Sequence, residues 1–428
     1  MFCNFRAPHY GLRALVALVV MSFLSSAAFA RKKPAPAPPP PLRASQPPSA
    51  TIPIAQLGFA PPGDFYIGTR QAMASLDFLD EDHLLFTFRV PGLYHRDPRG
   101  EPDETERHIR AVVLHVPDGA LQSEALWTVH DRARYLYMLD NGQFALRDRD
   151  SIELSDATLQ ITPWLRFPGA VYWAEFDPSS QFLIANSHEP ETAAAKPGMV
   201  GSPDTAAVSV TEDGDGSDGT AGLGKKDIVL RILQRSSGQV LFVSHIRRPI
   251  RVAMNADGYL EALRSRGTQW LLNLDYFSGG MTRVGVVESV CVPELSFLSH
   301  DEFVASTCDT GGGHALVGMT TDGKRLWQVP GSNLEVWPLL YVSRNGVRMA
   351  REAVIASHPV SAALPLGSED FERQQVTVYD AATGKQVFHA DPSPVLDAGG
   401  NVALSPSGRR AAVLMDGNIQ VFELGDGK

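Results

Sequence analysis

Histidine, tyrosine and arginine side chains relay protons, ligate metals and clasp anions near neutral pH. Seven of them, Tyr94, His95, Arg96, His108, His188, His314 and His358, fall within or beside the segments that interrupt an otherwise regular strand pattern. Their spacing matches no metal site, and the chain has no G-x-S-x-G, H-E-x-x-H, C-x-x-C or Walker motif. No catalytic residue, metal or cofactor is therefore assigned. The segment T-E-D-G-D-G-S-D-G at 211–219 sets the oxygens of Asp213, Asp215, Ser217 and Asp218 at near-alternating positions, as a calcium loop would. Counted from Asp213, however, its sixth position is Asp218 where the turn needs glycine, and its twelfth is Gly224 where a bidentate acid belongs. It reads better as a solvated acidic linker.

Cysteine is more informative. Residues 1–30 have the layout of a secretory leader: Arg6 and Arg13, then an apolar stretch from Ala14 to Leu24, then Ala28-Phe29-Ala30 as a small-x-small cleavage site. Cleavage there leaves Cys291 and Cys308 in a compartment that permits disulfides. Both flank the turn at Ser299-His300, so they are expected to face each other across a hairpin and to be bonded. The expected location is periplasmic or extracellular, with an uncleaved membrane anchor as the alternative. Asp309-Thr310-Gly311-Gly312-Gly313-His314 is glycine-rich but leads into no helix, so it is no phosphate loop.

Charge narrows the partners. The formal charge is −10, and losing the leader removes two arginines and no acid, taking it to −12. Lysines and arginines are scattered among acids, which disfavours nucleic acid and anionic membrane surfaces, both of which need a basic stripe. A protein, small-molecule or glycan ligand remains, and a monomer is expected.

The elements that must position these residues are strands. Residues 31–53 are proline-rich and read as a stiff, extended spacer. From residue 54 to 428, short runs of Val, Leu, Phe and Tyr are bounded by Asp, Ser, Asn and Gly. Two turn series interleave. One comprises P-D-G at 117–119, S-D-A at 155–157, S-S-G at 236–238, S-G-G at 278–280, T-D-G at 321–323, A-T-G at 382–384 and G-D-G at 425–427. The other comprises the turns at 79–83, 139–143, 177–181, 255–259, 298–302, 343–347 and 405–409. Once the insertions near 187–226 and 358–374 are set aside, the first series repeats about every 42 residues, and the second interleaves with it to give four strands per period. Seven such repeats predict an all-β, seven-bladed β-propeller in a single domain, with a pair of β-sandwiches as the alternative. The last repeat lacks a strand, which Ile54–Phe59 or Phe65–Ile67 is expected to supply so that the ring closes.

The hairpins T-V-Y-D-A-A-T-G-K-Q-V-F-H-A (377–390) and T-T-D-G-K-R-L-W-Q-V (320–329), with the runs at 176–185 and 403–414, resemble those of bacterial WD-repeat-like, YVTN-type and quinoprotein-type propellers. That resemblance implies a fold, not an activity. Of the tryptophans that quinoprotein alcohol dehydrogenases repeat from blade to blade, only Trp327 has a clear counterpart, with Phe388 in the equivalent place, so a quinone is not implied.

In such a ring the first-to-second and third-to-fourth turns share one face and the second-to-third loops share the other. The long loops, 91–107, 187–226 and 358–374, all fall on the second face, where a rigid scaffold usually carries its binding surface. The expectation is a non-catalytic binding or scaffold module using that face, edged by the seven residues named at the outset. The alternative is a hydrolase, lactonase or oxidoreductase with its site in the central channel.

Overall fold

Two-residue alternation broken by turn-forming residues gives short antiparallel strands. The computed structural model describes residues 43–61, 74–90, 107–130, 135–189, 228–246, 252–360, 366–396 and 400–425. Among these, twenty-eight strands form seven four-stranded antiparallel sheets. The first strand, β1 (Ala50–Pro53), belongs to the last blade. Blade one holds β2 (Ser75–Phe78), β3 (His83–Arg89), β4 (Arg107–His115) and β5 (Leu121–Val129). Blade two holds β6 (Leu136–Met138), β7 (Phe144–Asp148), β8 (Ser151–Ser155) and β9 (Thr162–Arg166). β10 (Val171–Phe176), β11 (Phe182–His188), β12 (Ile228–Gln234) and β13 (Val240–Ile246) make blade three. Blade four consists of β14 (Ala253–Met254), β15 (Gly258–Arg266), β16 (Gln269–Tyr276) and β17 (Met281–Glu288). In blade five come β18 (Glu294–Phe297), β19 (Glu302–Cys308), β20 (His314–Thr320) and β21 (Arg325–Val329). β22 (Glu335–Val342), β23 (Arg348–Ala356), β24 (Phe371–Asp380) and β25 (Gln386–Ala390) build blade six, and β26 (Val402–Leu404), β27 (Arg410–Met415) and β28 (Asn418–Glu423) blade seven.

The ring closes by a strand from the beginning of the domain, as expected, but by a different one. β1 pairs with β28, placing Ala50 opposite Val421 and Ile52 opposite Ile419. This strand lies inside the segment read as a proline-rich spacer, upstream of Ile54–Phe59. Proline content hid it: Pro53 stands at the strand's last position, where a missing N–H is tolerated, while Ile52 supplies the buried side chain. Ile54 and Leu57 instead fold into a short 3-10 turn that seals the same core. The G-D-G at 425–427 follows β28, and its last two residues lie outside the described ones.

Each blade packs its apolar faces against its neighbours, so among the described residues seven core clusters lie one per junction, and an eighth, of Val336, Val354 and Ala356, lies within blade six. They are unequal. The junction of blades seven and one buries seventeen apolar residues, whereas that of blades three and four fully buries four, Ile184, Leu230, Ile232 and Met254. Trp327 in β21 and Phe388 in β25 occupy the same place in their blades. Trp327 donates from Nε1 to the Ala381 carbonyl of blade six at 2.8 Å, and Phe388 packs on Phe422 of blade seven with ring centroids 4.6 Å apart.

Cys291 and Cys308 are disulfide-bonded, with Cα atoms 5.5 Å apart. Their placement differs from a cross-strand pair inside a hairpin. The β18–β19 ladder ends at Glu294 opposite Ser306, so Cys291 lies beyond it on the connection from blade four. The bond clips that connection to the end of β19, next to the hydrogen bond from Val290 N to Cys308 O at 2.9 Å. Among the described residues no helix is long and apolar enough to cross a membrane.

Candidate functional site

The two ends of the blades differ in the way the turn series implied. All thirteen first-to-second and third-to-fourth turns contain three to six residues, while on the other face β3 and β4 are 17 residues apart, β11 and β12 39, and β23 and β24 14. Of the seven residues expected to edge a binding region, Tyr94, His95 and Arg96 lie outside the described residues, as does the acidic 211–219 segment. The other four stand at the long-loop ends of blades one, three, five and six. His108, the second residue of β4, stands opposite Thr128, and the His188 ring at the end of β11 meets Tyr172 edge-on at 6.2 Å. His358 Nε2 lies 3.4 Å from Asp370, within its own loop.

His314 is half-buried. Its Nδ1 is 3.5 Å from the disulfide sulfur of Cys308, and its carbonyl accepts from Arg351 of blade six at 2.7 Å. Burial, reinforced by the Arg351 charge, holds its imidazole below the usual histidine range. Arg351 is itself paired with Glu335, whose carboxyl burial pushes up in spite of that cation. At the stem of the third blade's long loop, Arg231 and Ser187 hydrogen-bond Glu189, the latter at 2.9 Å. Burial opposes ionisation of Glu189, but these bonds outweigh it and hold its pKa down. These groups tie loop stems to blades. Among the described residues no three His, Cys, Asp or Glu side chains are grouped to hold a metal ion.

The thin junction between blades three and four has different chemistry. Cross-strand partners on antiparallel strands share a face. In blade four Leu260, Leu272 and Leu274 face blade five and join its core. The opposite face, turned to blade three, therefore carries Tyr259 paired with Asp275 and Glu261 paired with Asn273. Blade three meets that polar strip with Ile184, Leu230 and Ile232. The apolar wall thus faces carboxylates, and a cavity of about 30 Å³ lies between them, lined by those residues with Phe242, Ser244, Ile246, Val252, Tyr259 and Glu261. At one end the aromatic pairs Phe182–Phe277 (5.6 Å) and Phe242–Tyr259 (6.5 Å) bridge the blades.

Electrostatics sharpen the mismatch. Burial raises the pKa of Glu261, and the neighbouring Asp275 charge adds to the effect; Asp275 is raised by burial. Burial, with the Asp275 charge behind it, pushes the Tyr259 phenol up to about 12. Asp275 Oδ2 is buried with no hydrogen-bond partner among the described residues. Beside this groove β13 exposes Val240, Leu241, Phe242 and Val243 in succession.

None of these groove residues was picked out by motif. The available signal was V-L-F-V-S-H-I, an outer strand apolar on both faces, and Glu261 at a face position within β15. Neither marks a site until it is known which blade faces which.

No protein-family model matches the chain, and no curated protein matches it. Among solved structures, Kuenenia stuttgartiensis hydrazine synthase is similar at 10% identity over 82% of this chain and 94% of that one, with a TM-score of 0.43. Kluyvelomyces marxianus Hsv2 is similar at 12% over 69% and 74%, with a TM-score of 0.40. Pyrococcus horikoshii acylaminoacyl peptidase is similar at 12% over 84% of this chain, with a TM-score of 0.46, and the match spans 53% of that chain. Likenesses this distant carry no argument about activity.

Proposed function

We propose that the chain is an exported, non-catalytic binding module of the WD-repeat-like kind, whose recognition surface for a protein partner is the outer strand of blade three with the groove beside it. One observation carries this reading: four consecutive apolar side chains of β13 are exposed next to the junction with the fewest fully buried apolar residues. Exposed apolar side chains clustered beside an incompletely packed groove mark interaction sites. Export is supported by the Cys291–Cys308 disulfide, since such bonds persist in oxidising compartments, and by the leader-like residues 1–30.

The long-loop face forms a second part of the proposed surface, with His108, His188, His314 and His358 at the loop stems and Tyr94, His95 and Arg96 in the first loop. Its support is the confinement of all three long second-to-third connections to one face of a scaffold whose other turns are short.

The test is selection of displayed peptides on the immobilised full chain. Recovered binders should lose binding to a Phe242→Lys, Val243→Lys double variant whose near-ultraviolet circular dichroism is unchanged. Binders indifferent to that variant and to alanine at the four histidines would overturn the reading.

A further inference from the structure

Every blade of a propeller ends in an outer strand with one unpaired edge, and a bare edge is a template for another strand. This chain guards nearly all of them. β5 carries Glu124, β9 carries Pro163 and Arg166, β17 carries Arg283 and Glu288, β21 carries Arg325, and β1 carries Pro53. β25 contains neither proline nor an acid, lysine or arginine, but its edge is occupied. Ala44 bridges Ala390 in antiparallel fashion, and Ser45 N donates to the His389 carbonyl at 2.8 Å. The protein thus already completes one blade by laying an extended segment along its outer strand.

β13 is the exception. Its seven residues include no proline, lysine, arginine or acid, it stands at the edge of its sheet, and no strand among the described residues covers it. Its side chains alternate between two surroundings. Phe242, Ser244 and Ile246 line the groove toward blade four, where Glu261 also faces the opening. A strand added at this edge would send alternate side chains toward the same groove, because cross-strand neighbours share a face.

We propose that β13 receives an extended segment of a partner protein by strand addition, and that this segment carries a lysine or arginine whose cation reaches Glu261 and Asp275 while apolar neighbours cover Phe242 and Ile246. The proposal rests on the binding-module reading above and adds the chemistry of the partner. Charge complementarity selects the cation. Two carboxylates share one face of blade four, and Asp275 keeps a buried oxygen with no hydrogen-bond partner among the described residues. A guanidinium or ammonium there would neutralise both and meet the rings of Phe242 and Tyr259, which stabilise cations through their π faces. Backbone pairing along β13 supplies affinity and the groove supplies specificity, the division of labour seen wherever a peptide extends a sheet.

The experiment uses the full chain and a short capped peptide alternating leucine and lysine, with leucine–glutamate and leucine–serine peptides for comparison. The lysine peptide should bind, the glutamate peptide should not, and Glu261→Gln, which keeps shape and removes charge, should weaken the lysine peptide about tenfold or more. Asp322→Asn, an exposed acid in a blade-five turn, should leave it unchanged. When one or the other alternate set of peptide amides is N-methylated, one peptide should lose binding and the other keep it, since an added strand pairs along a single edge. Equal binding of the lysine and serine peptides, or indifference to Glu261→Gln, overturns the cationic partner while leaving the binding module intact. Equal binding of the two N-methylated peptides overturns strand addition. A dimer in sedimentation that Leu241→Lys abolishes would assign the edge to a second copy of this chain and overturn the proposal. No binding by any peptide, with no Phe242-sensitive binder from the display selection, removes the reading beneath it as well.

Discussion

Ring closure rests on four residues, and Ile52 is the one to perturb. It is 2% exposed, stands opposite Ile419 in the β1–β28 ladder, and lies in the largest of the junction cores. Ile52→Ala removes three buried carbons, about 2.4 kcal/mol at roughly 0.8 per carbon. The cavity adds to this, for a total of about 3–4 kcal/mol, within the usual range of roughly 2–5 for such truncations. Gly119 fixes the other side of the contact. A Cβ there would come within 2.6 Å of Ile52 Cγ2, and the backbone has a φ of +71°, so Gly119→Ala should disturb the same strand. Thr51→Ala, an exposed neighbour on β1, should change stability by no more than about 0.5 kcal/mol. The assay is urea unfolding followed by tryptophan fluorescence, with limited proteolysis of the N-terminal segment in parallel. If Ile52→Ala loses less than about 1 kcal/mol, or no more than Thr51→Ala, β1 does not hold the ring shut and the closure argument fails.

Replacing both Cys291 and Cys308 by serine should lower stability by about 3 kcal/mol, the chain-entropy estimate for a bond between residues separated by 17 positions. Reductant should produce the same shift in the parent and none in the variant, and a parent whose midpoint ignores reductant would refute it. Gly318→Ala would put a Cβ 2.2 Å from the Trp327 ring, so Trp327 must leave its seat; a loss of about 1–3 kcal/mol and an altered near-ultraviolet spectrum are expected. For His314 the sign follows from its depressed pKa: the unfolded chain takes up a proton first as pH falls, so this residue's stability is complete above about 6.5 and is lost below it. Its charged neighbours Arg351 and Asp309 act in opposite directions, with burial and Arg351 prevailing. His300, held between Asp301 and Asp257, shifts the other way. The comparison is therefore with His314→Gln, which should flatten the fall in stability from pH 6.5 toward 5 and would refute the assignment if the two profiles ran parallel.

The chemistry of the candidate groove was only partly legible. The apolar run of β13 is plain in V-L-F-V-S-H-I, but an apolar outer strand reads like a buried one until its neighbours are known. Glu261 and Asp275 are fourteen positions apart and look like ordinary solvated acids. Antiparallel register places them on one face of blade four, and the ring turns that face toward an apolar one.

What the amino-acid order determined by itself was local: strand alternation, turn residues recurring every forty or so positions, and from these the number of blades, the face with the long loops and the pairing of two cysteines. Local rules suffice there because side-chain alternation and turn geometry depend on residues only a few positions apart. Which proline-flanked segment becomes the closing strand, where the disulfide falls relative to its hairpin, and which junction is left underfilled were decided by the tertiary structure. The closing strand and the junction depend on what stands across a blade interface, between residues tens to hundreds of positions apart, and no spacing along the chain encodes that; the disulfide, between residues 17 positions apart, depends on where the β18–β19 ladder ends.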